Sequence, residues 1–264
     1  MITDFLLALL LACIQGLTEF LPVSSSAHLL FPSLLFGAKD FGLVFDIAVH
    51  GGTLAAVIVY FKNDLMRLAQ AWWPWANHRN QKDFNLGLNL IVATMPIVLM
   101  GFIFSDLIAE RSASIESIAW ANLIFAGLLW LAFKFSPQTK NLLGLTVLAA
   151  VVIGCLQALA IFPGASRSGM AITGALLIGL NLKDSSKFAF LLSIPTILGA
   201  LILMVLKDSL VLTVDDLMIL LTGFMGSAVI AFLSIKVFLQ FVERIGMTPF
   251  VIYRLLLGLA LLLL

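Results

Sequence analysis

Two apolar stretches of this chain are cut by proline before they are long enough to cross a bilayer, and each cut is filled with polar side chains. The first covers residues 5–17, breaks at Pro22, and resumes over 29–36 after Ser24, Ser25 and Ser26. The second covers 142–159, breaks at Pro163 and Gly164, and resumes over 171–180. Proline removes a backbone donor and stops a helix from continuing. Lipid cannot satisfy the N–H and C=O groups this frees, so such breaks persist only when buried in protein or lining a polar cavity. Both segments are therefore expected to be re-entrant helix–loop–helix hairpins whose tips meet in the interior.

The rest of the chain fits a bilayer. Of 264 residues, 62% are hydrophobic and 11% charged, against about 45–50% and 25% in soluble domains. A spanning helix needs about 20 mostly apolar residues. Six stretches qualify: 45–61, 86–104, 118–133, 188–206, 217–237 and 249–264. The expected fold is an all-α polytopic membrane protein with six transmembrane helices and two re-entrant hairpins. The N-terminal segment lacks a basic region and a small-residue cleavage site, so it is expected to be retained. Net charge is +1, which gives no pull toward nucleic acid. Cys13 and Cys155 lie in apolar runs and read as packing residues.

The two halves echo each other. "CIQGLTEFLPVSSSAHLL" at Cys13 is answered by "CLQALAIFPGASRSGMAI" at Cys155, and "GTLAAVIVYFKNDL" by "TILGALILMVLKDSL". The chain reads as one membrane domain, 1–264, with internal repeats over about 1–135 and 141–264. Each half holds a hairpin and three spans, and an odd number of crossings inverts the second copy. Inverted repeats set their binding site at mid-membrane between the copies. Charge tests the topology. Ten of the 15 Lys and Arg fall on one face, in segments 62–82, 134–140, 183–187 and 236–244. Lys39, Arg111 and Lys207 fall on the other. The basic face is expected to be cytoplasmic, with both termini periplasmic. The Trp72-Trp73-Pro74-Trp75 cluster falls in the basic loop as a headgroup anchor.

Ionisable groups at membrane depth are costly and are functional candidates. Here they are Glu19, His28, Asp46, His50, Arg167 and Arg254. Glu19 lies one helical turn after Gln15, just before the first break. The second tip offers Gly164, Ser166, Arg167 and Ser168. Free N–H groups at a helix start, serine hydroxyls and a guanidinium make an anion site, and the arginine fork suits phosphate oxygens. Setting Pro22 on Pro163 implies a one-residue deletion in the second copy. That register pairs Ser26 with Arg167 and His28 with Gly169, and leaves Ala160 or Ile161 opposite Glu19. The first tip thus carries acid and base, the second the cation. Phosphoryl transfer needs that division; a symmetric transporter needs it less. Asp46 and His50, one turn apart, are expected to neutralise each other near the membrane surface. Arg254 reads as the structural partner of a carboxylate or a second headgroup contact.

"QGLTEFLPVSSSAH" and "PGASRSG" resemble the two signature regions of the undecaprenyl-diphosphate phosphatase, or bacitracin-resistance, family. "FLQFVERI" and "PFVIYR" extend the resemblance to the end of the chain. It implies a bacterial inner-membrane enzyme that hydrolyses undecaprenyl diphosphate to undecaprenyl phosphate and phosphate. That recycles the lipid carrier for cell-wall synthesis and confers bacitracin resistance. By the same resemblance, Glu19, Ser25, His28 and Arg167 are catalytic. Gln15, Ser24, Ser26, Gly164, Ser166 and Ser168 are expected to contact substrate, with a divalent cation, Mg²⁺ or Ca²⁺, bridging to Glu19. Ser25 or a water is the expected nucleophile with His28 carrying the proton; a phosphohistidine at His28 is the competing form. Ala27 stands where the family commonly has glycine, and Ala171 where it often has threonine. The partners are the lipid substrate and the bilayer, and a homo-oligomer is left open. A lipid flippase or small-molecule transporter on the same inverted-repeat fold is the alternative function.

Overall fold

A computed structural model describes residues 2–73, 80–104, 114–207 and 214–263. Arg79, Arg111, Pro74 and Trp75 lie outside them. Among the described residues the chain forms eleven α-helices and no named strand. They are α1 (Ile2–Thr18), α2 (Ser25–Phe36), α3 (Gly42–Tyr60), α4 (Lys62–Trp72), α5 (Gln81–Ile103) and α6 (Ile115–Phe135). After them come α7 (Val147–Ala158), α8 (Arg167–Leu177), α9 (Leu182–Lys207), α10 (Val214–Ile245) and α11 (Thr248–Leu262). This is an all-α polytopic membrane protein.

Five helices, α3, α5, α6, α9 and α10, are long and apolar enough to cross a bilayer. The expected sixth span, 249–264, forms as α11 within two residues of its expected bounds and is shorter than those five. Helix α11 has 15 residues, about 22 Å at 1.5 Å per residue, against a hydrocarbon core of about 30 Å. Gly246, in the left-handed region at φ 70°, ends α10 and turns the chain, and α11 then packs along α6. The turn carries Glu243, Arg244, Gly246 and Pro249, so the sequence marks this boundary to within a residue.

Both hairpins form where proline predicted them. In the first, Glu19 N–H still donates to the Gln15 carbonyl at 2.9 Å, and the chain then turns through Pro22. In the second, α7 tightens into a single 3₁₀ turn at Leu159–Ile161 before Pro163. Each returning helix starts after a serine with positive φ, Ser24 at 72° and Ser166 at 70°. The two serines also share a hydroxyl neighbour two residues on: Ser24–Ser26 at 3.4 Å and Ser166–Ser168 at 3.3 Å. This likeness fits a different register from the one set on the prolines. Ser24 matches Ser166, 142 positions later, as Cys13 matches Cys155 and Gln15 matches Gln157, so no deletion is needed. Ser25 then matches Arg167, Glu19 matches Ile161, and His28 matches Met170. In that register Pro163 occupies the place of Leu21, one residue early.

Small residues let these helices touch. Gly52 of α3 lies so close to α10 that a Cβ there would sit 2.2 Å from the Phe224 carbonyl oxygen. Ser227 of α10 donates to the Val49 carbonyl at 2.9 Å, and Gly16 of α1 packs on the same turn. Without a hydrophobic drive between helices in lipid, such contacts carry the association. Gly52→Ala should therefore force α3 off α10, at a cost of about 1–3 kcal/mol or more. Thermal unfolding in detergent should show a fall in Tm of several degrees. Gly127→Ala, on a helix face with nothing within 4 Å, should leave Tm unchanged or slightly raised. Equal Tm values for the two variants would contradict this packing.

A row of aromatic rings, Phe20, Phe190, Phe238 and Phe250, with centroids 5.3–5.5 Å apart, ties the first tip to α9, α10 and α11. On the basic face, Asp64 of α4 binds both Arg67 and Lys187. That holds α4 against the start of α9. Trp72 stacks on Phe84, while Trp73 is exposed.

Candidate active site

The two tips meet at Glu19 and Arg167. Glu19 enters at the end of α1, where the helix stops and its side chain is 4% exposed. Arg167 opens α8, raised into place by the left-handed turn at Ser166. Arg167 Nη2 donates to Glu19 Oε1, and Nη1 donates to the Ser193 carbonyl of α9 at 3.2 Å. Glu19 Oε2 accepts from Gln15 Nε2 at 2.8 Å and from Ser25 Oγ at 2.6 Å. A second contact locks the tips: Ser168 Oγ donates to the Leu21 carbonyl at 2.9 Å. A buried charge pair needs further hydrogen bonds to be tolerated, and Gln15, Ser25 and the Ser193 carbonyl supply three.

This pair forms one wall of a cavity of about 240 Å³. Glu19, Ser24, Ser25, Ser26, Ser166 and Arg167 all border it, so the structure gathers six of the ten expected site residues around one space. Gln15 stands directly behind Glu19. Gly164 and Ser168 do not border the cavity. Gly164, at φ 96°, packs against α6, where a Cβ would meet the Ile118 carbonyl oxygen at 2.7 Å. Ser168 is spent on Leu21.

The histidines are placed differently from the expectation. His28 does not border the cavity. Its Nδ1 donates to the Ser24 carbonyl at 2.7 Å, its Nε2 is bonded to the Tyr253 hydroxyl, and the two rings stack. His50 borders the cavity instead, with Nε2 3.8 Å from Glu19 Oε2. Its Nδ1 faces the Asp46 backbone carbonyl at 2.8 Å. A carbonyl only accepts, so the hydrogen is on Nδ1 and Nε2 is turned to the site. The carboxylate that His50 Nε2 faces is Glu19. In sequence the only signal for His50 was an ionisable group at membrane depth.

Arg254 also departs from expectation. It is fully buried and holds backbone rather than a carboxylate. Nη2 donates to the carbonyls of Gly164 at 2.8 Å and Ala165 at 3.0 Å, and Nε donates to Asn122 Oδ1 at 3.3 Å. It fastens the loop that leads into Arg167.

Among the described residues no group of three His, Cys, Asp or Glu side chains could hold a metal ion. A carboxylate offers about four lone-pair positions, and three on Glu19 are taken by Arg167, Gln15 and Ser25. That leaves room for one contact to a cation held mainly by other oxygens. Mg²⁺ bound through one carboxylate plus phosphate oxygens and water fits such a site.

The chain matches the family model for bacitracin resistance protein BacA over residues 8–260. It is similar to proteins named undecaprenyl-diphosphatase from several bacteria. The one from Saccharophagus degradans is 46% identical over 258 residues, 97% of this chain and 96% of the relative. The one from Alcanivorax borkumensis is 47% identical over 261 residues, 98% of each. The one from Teredinibacter turnerae is 46% identical over 256 residues, 97% of each. With nearly the whole chain covered, and the Glu19–Arg167 pair at the centre of the signature regions, this chain belongs to the bacitracin resistance protein BacA family.

Proposed function

We infer that this protein hydrolyses undecaprenyl diphosphate to undecaprenyl phosphate and inorganic phosphate in the bacterial inner membrane. The family and the named relatives support the activity. The observation that carries the mechanism is the Ser25 hydroxyl donating to a carboxylate that a guanidinium already holds.

Arg167, with Ser24, Ser26 and Ser166, binds the diphosphate oxygens. Glu19 takes the proton from Ser25 Oγ as that oxygen attacks the terminal phosphorus. The bond from phosphorus to the bridging oxygen breaks, and undecaprenyl phosphate leaves. Water then releases phosphate from the serine. In the direct alternative, a water held by Ser25 attacks and loses its proton to Glu19. A phosphohistidine at His28 is disfavoured, since both its ring nitrogens are engaged away from the cavity. Glu19 and the serine hydroxyls would hold a divalent cation with the substrate's oxygens. When bound, the cation supplies charge neutralisation on the transferring group.

The two halves act as inverted repeats, one supplying the carboxylate and the other the guanidinium. The cavity is bordered by Ile97 and Met204, near the ends of α5 and α9 opposite their Lys82 and Lys183 starts. By the positive-inside rule that opening faces the periplasm, as do both termini. Every group named comes from one chain, so the reading needs no second copy.

Purified protein in detergent should release phosphate from undecaprenyl diphosphate, lose that activity in chelator and regain it with Mg²⁺. Labelled substrate should leave an acid-stable phosphoryl group on the enzyme, absent from Ser25→Ala. An acid-labile group that disappears in His28→Gln would transfer the nucleophile to His28. Lipid movement across vesicles with no phosphate release would favour a flippase.

A further inference from the structure

The substrate of the reading above has two incompatible parts, and the cavity has two kinds of wall. Its polar side is the Glu19–Arg167 pair and its serines. Its other side is apolar, made by Ile97 of α5 and Ala200, Leu201 and Met204 of α9. At about 240 Å³ it is smaller than the ~300–1,000 Å³ that enclose even a drug-sized ligand. It can take the diphosphate and the first isoprenoid units. The rest of the chain must leave sideways into lipid.

Two routes border the first tip. One is the apolar groove of about 410 Å³ between α1, α10 and α11, reached through Leu17 and Leu21. Leu17 of α1 stands two positions before Glu19, and at 100° per residue it turns away from it. The groove therefore lies behind the carboxylate. The other route is the seam between α5 and α9, on the side that Glu19 and Arg167 face.

That seam is built to part. A Cβ on Gly199 of α9 would lie 3.6 Å from Val98 Cγ2 of α5, so one of the two helices presents bare backbone at their meeting point. Each also carries an internal proline close by, Pro96 in α5 and Pro195 in α9. Proline removes an i→i−4 hydrogen bond and loosens the helix there. Pro195 comes two residues after Ser193, whose carbonyl holds Arg167, so the outer half of α9 can move while Ser193 keeps the guanidinium. Along the seam Val98, and beside it Leu198 and Ile202, are exposed, as residues against acyl chains would be.

We propose that the prenyl chain of the substrate enters and lies along the seam between the outer halves of α5 and α9, its first isoprenoid units against Ile97, Ala200, Leu201 and Met204. The groove of α1, α10 and α11 is not its track.

A polyprenyl diphosphate carrying a diazirine in its first isoprenoid units, photolysed with the unaltered protein in phospholipid vesicles, tests this. Mass spectrometry should place the label on α5 and α9 at or beside those four residues. Label on Leu17, Val237 or Phe241, or label spread evenly over lipid-facing residues, would overturn the proposal. This readout needs no turnover, so it stands apart from failure of the hydrolase reading, which phosphate release reports. In addition, Gly199→Phe, which fills the seam, should raise at least tenfold the ratio of turnover of a five-carbon allylic diphosphate over that of the long lipid. An unchanged ratio in folded protein would count against the seam.

Discussion

Glu19→Gln is expected to lower phosphate release about 10³-fold, the middle of the ~10²–10⁴ range for losing a positioned general base. Glutamine keeps the shape of the side chain and an oxygen to accept from Ser25, so the cavity should persist. It cannot take a proton, so the Ser25 hydroxyl loses the base it now meets at 2.6 Å. The same change strips Arg167 of its only charged partner among the described residues. Breaking a buried pair from one side costs about 3–5 kcal/mol, so a lower Tm should accompany the kinetic loss. The check is steady-state phosphate release on protein that still elutes as a single folded species. Turnover within tenfold of the parent would remove Glu19 from the chemistry.

Arg254→Met is expected to damage the site from behind. The substitution leaves the Gly164 and Ala165 carbonyls and Asn122 Oδ1 without the donors they now have. Each buried orphan costs about 1–3 kcal/mol, so Tm should fall by many degrees. The loop of Gly164 and Ala165 carries Ser166 at φ 70° into Arg167. Released, it should let the guanidinium drift, and kcat should fall by about 10²-fold, as a misplacement near 1 Å can cost. Arg254→Lys should recover part of the stability and less of the rate, because an ammonium lacks the planar fork that serves two carbonyls at once. Thermal unfolding and phosphate release on the same preparations check both. A folded Met variant with parental kcat would show that Arg254 only packs.

How much of this was legible beforehand follows from the physics of each signal. Proline in an apolar run is a local fact with one consequence in lipid, so both broken helices and their tips were readable. So was the meeting of Glu19 with Arg167, because two opposite charges at matching breaks have few other ways to be neutralised. The register of the repeat was not. Pro22 and Pro163 are the loudest residues of each tip, and they sit one position apart in the register that the two positive-φ serines suggest. Helix α11 was readable to within two residues, because Gly246 and Pro249 mark its start. The histidines were the hardest. His28 sits inside a motif and His50 outside it, yet only His50 borders the cavity. Which way a ring turns depends on partners 225 residues away in the case of His28 and Tyr253, and no local pattern carries that.

The most direct test of the central idea, a carboxylate for chemistry and a guanidinium for binding from opposite halves, is equilibrium binding of a non-hydrolysable methylene-bridged prenyl diphosphate in chelator. Arg167→Gln should weaken binding at least 100-fold. Glu19→Gln should bind as well as the parent or better, since Arg167 is freed from its internal partner. Unchanged affinity in Arg167→Gln, or equal losses in both variants, would contradict the account.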